Sequence, residues 1–121
     1  MRFTPAAWML VLAAAPMGVA VSVAAAAAAD GPTVSLVLKD HRFTPSSFSL
    51  PAGQKAHIVL TNQDPATEEF DSHDLQVEEL VTPHGRASFT IGPLKPGTYS
   101  FMGEFHPATA QGRVTVTEAQ R

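Results

Sequence analysis

From residue 30 onward, apolar residues recur at every second position in short runs, and turn residues interrupt those runs about every ten positions, which is the pattern of an all-β chain. Val34, Leu36 and Leu38 alternate with Ser35 and Lys39, so the first predicted strand has one apolar face. Phe43, Phe48 and Leu50 form a second extended segment, interrupted by Thr44-Pro45-Ser46-Ser47 and closed by the turn Pro51-Ala52-Gly53. Ala56, Ile58 and Leu60 alternate with His57, Val59 and Thr61 in a third. Leu75 and Val77 mark a fourth strand, and Ala87 to Ile91 a fifth. Pro93 to Gly97 is a turn, after which Thr98 to Phe101 and Val114 to Val116 complete the set. No internal repeat, heptad pattern or helical periodicity is present. The pattern predicts a β-sandwich or barrel. Two stretches, Asn62 to Ser72 and Gly103 to Gly112, are predicted to be irregular connections, the places where a rigid β scaffold usually carries its function.

The first 29 residues follow a different pattern. After Arg2 comes an uncharged stretch, Ala6 to Ala29, with an apolar centre at Trp8 to Leu12 and a closing alanine run from Ala24. A basic start, an apolar middle and small residues before Asp30 predict a secretory signal peptide over residues 1–29, cleaved near Ala29. The stretch is long enough for an uncleaved anchor, but Pro16, Gly18 and the weakly hydrophobic alanine-rich half count against that. The predicted destination is the periplasm. Residues 30–121 then make one small domain.

The chain contains no cysteine, which excludes disulfides and any thiolate metal site. Of its eight Lys and Arg, one is Arg2 in the leader, whereas all eleven Asp and Glu follow residue 29. That acidic balance argues against a nucleic-acid partner. Seven of the acids (Asp64, Glu68, Glu69, Asp71, Asp74, Glu78, Glu79) fall in one short segment.

Two triplets carry candidate chemistry: Glu69, Asp71 and His73, and Met102, Glu104 and His106. In each, the residues stand at alternate positions, so an extended backbone presents all three on one face, with Phe70 and Phe105 facing the core. Side by side, the triplets would form a pocket of imidazoles and carboxylates with one thioether at its edge. Imidazole suits copper, iron and zinc, and carboxylates favour harder ions. The competing readings are a solvated acidic face and a methionine that fills the core. Among the other histidines, His57 falls opposite the apolar phase of its strand and His84 sits in a turn, while His41 is open to either role.

Across nearly all of residues 30–121 the sequence resembles a cupredoxin. The resemblance rests on Phe43-Thr44-Pro45, Pro51-Ala52-Gly53, Ile58 to Asn62, His73-Asp74-Leu75, Gly92 to Tyr99 and Gly112 to Val116. It implies a Greek-key β-sandwich. It matches His73 to the mid-chain copper histidine, His106 to the second histidine, Gly103 to the cysteine and Ala110-Gln111 to the axial position. Without a thiol, a blue-copper site is excluded. Within that superfamily, Glu68 to Leu75, Gly92 to Tyr99 and Gly103 to Gly112 resemble the periplasmic iron-transport cupredoxins, FtrB-like proteins and the N-terminal domain of EfeO. This implies binding of copper or iron through Glu69, Asp71, Glu104, His106 and Met102, with His73 supported by the wider superfamily. It also implies partnership with an inner-membrane iron permease and a periplasmic iron-binding protein. Oxidation of ferrous iron and dimerisation are left open. Carboxylates stabilise ferric over ferrous ion, so a site with Glu69, Asp71 and Glu104 would ease oxidation; copper would use His73, His106 and Met102. The alternative from a different class is a metal-free interaction module that docks on a membrane partner through its acidic segment.

Overall fold

A computed structural model describes Arg2 and residues 30–118; the predicted signal peptide, apart from Arg2, lies outside the described residues. Nine strands and no helix occur among them: β1 (Asp30–Lys39), β2 (Arg42–Thr44), β3 (Ser47–Pro51), β4 (Lys55–Asn62), β5 (Glu68–Ser72), β6 (Val77–Val81), β7 (Arg86–Ile91), β8 (Gly97–Gly103) and β9 (Gln111–Thr117). They form a β-sandwich. One sheet has the order β2-β1-β4-β7 and the other β3-β9-β8-β5-β6. Both sheets are mixed, with β1 parallel to β4 and β3 parallel to β9.

The core follows from alternation. Leu36 and Leu38 of β1, and Ala56, Ile58 and Leu60 of β4, turn their side chains inward and are buried. The facing sheet contributes Phe70, Phe101, Val114 and Val116. Phe70 and Phe101 stack at 4.8 Å, and Phe43 meets Phe101 edge-on at 5.2 Å. Gly112 lies under the Phe101 ring, where an added Cβ would come 2.0 Å from Phe101 Cζ, so no side chain fits there.

The structure departs from the sequence reading in three places. The acid-rich segment expected to be irregular ends in strand β5. Its charged residues conceal a period of two, in which Glu68, Phe70 and Ser72 face inward and are buried while Glu69 and Asp71 are only half-buried. Leu75 belongs to a turn, with Gln76 in the left-handed region (φ 56°), and the strand starts at Val77. Phe105, expected to face the core, is 50% exposed, because β8 ends at Gly103 and alternation ends with it. His57 is exposed on β4, and His84 occupies an exposed turn at φ 54°.

Candidate metal centre

Strand β5 and the segment after β8 build two clusters of potential ligands at one end of the second sheet. The first is His41, Glu68 and His106; the second is Glu69, Asp71 and Glu104. In each, one ligand atom per residue lies within 4.8 Å of the others.

Glu68 organises the first cluster. Its carboxylate is 1% exposed, yet every contact it makes is a favourable one for an anion. Oε1 accepts hydrogen bonds from the Glu69 amide at 3.0 Å and the Phe105 amide at 2.9 Å. Oε2 pairs with His106 Nδ1 at 2.6 Å. The His106 loop closes on itself: the His106 amide donates to Gly103 O at 3.1 Å, and His106 O accepts from the Ala110 amide at 2.9 Å. The His41 ring stacks on the His106 ring, with centroids 3.5 Å apart and planes 13° from parallel. His41 Nδ1 lies 3.5 Å from Asp64 Oδ2. Both imidazoles therefore have a buried carboxylate at Nδ1, the arrangement that fixes a metal-binding histidine and raises its basicity. Asp64 is held below the usual carboxylate range: burial pushes its pKa up, but hydrogen bonds from the His41 and Asp40 amides and the fields of His41 and His106 more than offset this.

The donor set suits an ion that accepts two imidazoles, such as Cu(II), Zn(II) or iron, with Glu68 as the carboxylate behind His106. It does not suit the thiolate of a blue-copper site. A Cβ on Gly103 would lie 2.7 Å from Glu68 Cδ and 2.7 Å from Ala110 Cβ, so the Glu68 carboxylate fills the room a cysteine would need.

The second cluster stands on the outer face of the same sheet. Glu69 and Asp71 point outward from β5, and Glu104 is held beside them by the hydrogen bond its backbone amide donates to Glu69 O at 2.9 Å. Burial, then the charge of Glu104 and a hydrogen bond shared with it, and then Glu78 and Asp71 push the Glu69 carboxyl above its ordinary value. Met102 pairs across the strands with Asp71 and is 41% exposed.

Of the residues singled out from sequence, the fold thus brings together Glu69, Asp71 and Glu104, with Met102 at their edge, and sets His106 in the neighbouring cluster. It does not bring His73 to His106. Glu68 opens β5 and His73 follows its last residue, about 16 Å along an extended strand. His73 instead lines a hollow of about 500 Å³ with Asp71, Gln76 and Glu78, and a smaller one of about 160 Å³ with Asp74, Ser100 and Met102. The mid-chain residue delivered to His106 is Glu68. Sequence reasoning left His41 open and missed Glu68 and Asp64. Glu68 was legible, since it shares the inward phase of Phe70; His41 and Asp64 meet through a turn that no spacing announces.

The chain matches the cupredoxin-like domain family over residues 5–116. It is 41% identical over 85 residues to an uncharacterized protein of Rickettsia prowazekii (strain Madrid E), covering 70% of this chain and 68% of the relative. The chain therefore belongs to the cupredoxin-like family. Among solved structures it is similar to the metal-binding domain of the Cu(I)-exporting P-type ATPase CopA of Streptococcus pneumoniae D39 with Cu(I) (TM-score 0.64, 17% identity, 71% of this chain, 85% of that one). It is also similar to auracyanin A, a blue copper protein of Chloroflexus aurantiacus (0.63, 16%, 72% and 100%), and to a purple cupredoxin of Nitrosopumilus maritimus (0.54, 19%, 69% and 99%). At these identities the likeness is one of fold.

Proposed function

We propose that this is a periplasmic metal-binding cupredoxin that takes copper or iron as an accessory to a membrane iron-uptake system. His106 and His41 would hold the ion, with Glu68 behind His106, and Glu69, Asp71 and Glu104, edged by Met102, would offer a harder oxygen site on the other face of the same strand. The observation that carries the reading is the pair of imidazoles stacked 3.5 Å apart, each backed by a buried carboxylate, at one end of a rigid sandwich. Copper is supported by the fold's likeness to proteins described as copper-binding, and iron by the carboxylates together with the sequence resemblance to iron-transport cupredoxins. When bound, the ion would supply a redox-active or Lewis-acidic centre. The chain's own residues orient the imidazoles, exclude a thiol and surround the site with negative charge. Titration with Cu(II), Fe(II) and Zn(II), followed by calorimetry and thermal shift, tests this. His106→Ala should weaken binding of the preferred ion at least tenfold, and equal binding by both proteins would remove the site. Fe(II) loss in air with catalytic protein plus copper would mark a ferroxidase, whereas stoichiometric loss would mark a carrier.

A second reading is favoured by three exposed large apolar side chains among the described residues, Leu80 opposite Glu69, Met102 opposite Asp71 and Phe105 next to Glu104, which border the acidic cluster. In it, the face docks on a membrane partner without a metal. Partner affinity would then fall with salt and be indifferent to chelators.

A further inference from the structure

His41 reaches His106 from the two-residue turn that joins β1 to β2. Asp40 and His41 are consecutive residues in the left-handed region, at φ 52° and 56°, a conformation that side chains with a Cβ rarely adopt. They are the two central residues of the β1–β2 hairpin turn, whose strands pair at Lys39 and Arg42, and this turn type takes positive φ at both. A histidine adopts that φ at a cost, so the turn gains from an external restraint. Asp64, buried and more than twenty positions along the chain, supplies one. Its Oδ1 accepts from the Asp40 amide at 2.7 Å and its Oδ2 from the His41 amide at 2.9 Å.

Asp64 is itself tightly held. Its amide donates to Asn62 Oδ1 at 2.9 Å, and its carbonyl accepts from the His84 amide at 3.0 Å. Asn62 is 1% exposed and donates through Nδ2 to Ala66 O at 2.8 Å and Thr82 O at 3.1 Å. A chain of charged and neutral hydrogen bonds therefore runs from the end of β4 to the backbone of His41. The His41 ring is only loosely tied to the same carboxylate, at 3.5 Å with the histidine side chain 40% exposed. The backbone is clamped by Asp64, and the ring is placed by its stacking on His106.

We propose that Asp64 is a positioning residue which, anchored by Asn62, holds the Asp40–His41 turn in place and so supplies the second imidazole of the metal centre. The inference rests on the reading of His41, Glu68 and His106 as that centre. An Asn at 64 has the same size but only one acceptor oxygen, so one of the two amides would face an NH2 group. Its loss should remove the His41 nitrogen from the ion and leave the His106 nitrogen, which Glu68 holds, in place.

The test is Cu(II) binding read by electron paramagnetic resonance with nitrogen hyperfine resolution, alongside calorimetric affinity. The wild type should show two imidazole nitrogens. Asp64→Asn should show one and bind roughly 10- to 100-fold more weakly, the usual effect of losing a residue that orients a ligand. His41→Ala should match it in nitrogen count, and Asp64→Asn combined with His41→Ala should show the same single nitrogen as His41→Ala alone. If Asp64→Asn does not fold by circular dichroism, Asp64→Glu, which keeps both oxygens but moves them by one methylene, must show the same loss of one nitrogen. Two nitrogens retained in the folded variant, with or without weaker binding, would overturn the inference. A wild type that shows no imidazole nitrogens would overturn the metal centre itself, and the inference with it.

Discussion

Glu68 and Glu69 are the same residue type, adjacent in the chain, and the fold uses them in opposite ways. Glu68 faces the sandwich interior, where its oxygens meet two backbone amides and one imidazole. Glu69 faces outward among like charges, and its carboxyl is pushed up by partial burial and by Glu104. One cluster is a set of complementary charges with its hydrogen bonds complete. The other is a set of repelling charges held together by backbone geometry. The first arrangement is satisfied by the protein's own groups; the second keeps negative charge that a cation would relieve.

Removing each carboxylate separates the two cases most strongly. Glu68→Ala strands two part-buried amide donors and the partner nitrogen of His106, which should cost about 3 kcal/mol of stability. Glu69→Ala relieves repulsion and should leave the urea midpoint unchanged or raise it. Similar losses for both variants would show that β5 does not separate a buried side from an exposed one. Gly103 tests the same contrast from the facing strand. Gly103→Ala forces a methyl against Glu68 and Ala110, an overpacking worth about 1–3 kcal/mol. That cost should shrink when combined with Glu68→Ala, which clears the space, so the two changes should be clearly non-additive in urea unfolding.

These contrasts explain how much could be read in advance. Strands such as Leu36–Leu38, Ala56–Leu60 and Val114–Val116 announce themselves because apolar residues mark the inward phase. In β5 two of the three inward residues are Glu68 and Ser72, so hydrophobicity marks only Phe70 and the strand resembles a loop. The exposed acidic cluster was legible for the opposite reason: Glu69, Asp71 and Glu104 are surface residues at alternate positions, and regular pairing keeps them together. The pairing of His73 with His106 was not correctly legible, because it presumed that both lay at one end of the strand. Asp64, His41 and Asn62 come together through a left-handed turn, and a turn of residues with Cβ atoms carries no glycine to signal it.

The smallest effect, and the finest probe of the comparison, is the sign of each region's response to acid in the metal-free protein. The folded-state pKa of Asp64 lies below its ordinary 3.8, so it binds fewer protons in the folded than in the unfolded chain. Its contribution to stability is complete above that ordinary value and is lost as pH falls through the lowered one. Glu69 behaves in reverse. Its folded pKa lies above the ordinary 4.5, so between the two values the folded chain holds the extra proton. Stability from this group therefore declines as pH rises through that window and is recovered on acidification. Carboxyl titration by carbon NMR should place Asp64 and Glu69 on opposite sides of their ordinary values. Glu104→Gln should then draw Glu69 back down, because it removes the nearest like charge while leaving its partial burial, and it should leave Asp64 where it was. A Glu69 midpoint indifferent to Glu104→Gln would mean that the two side chains do not share a site in solution, and the outer cluster would then be no more than three separate surface acids.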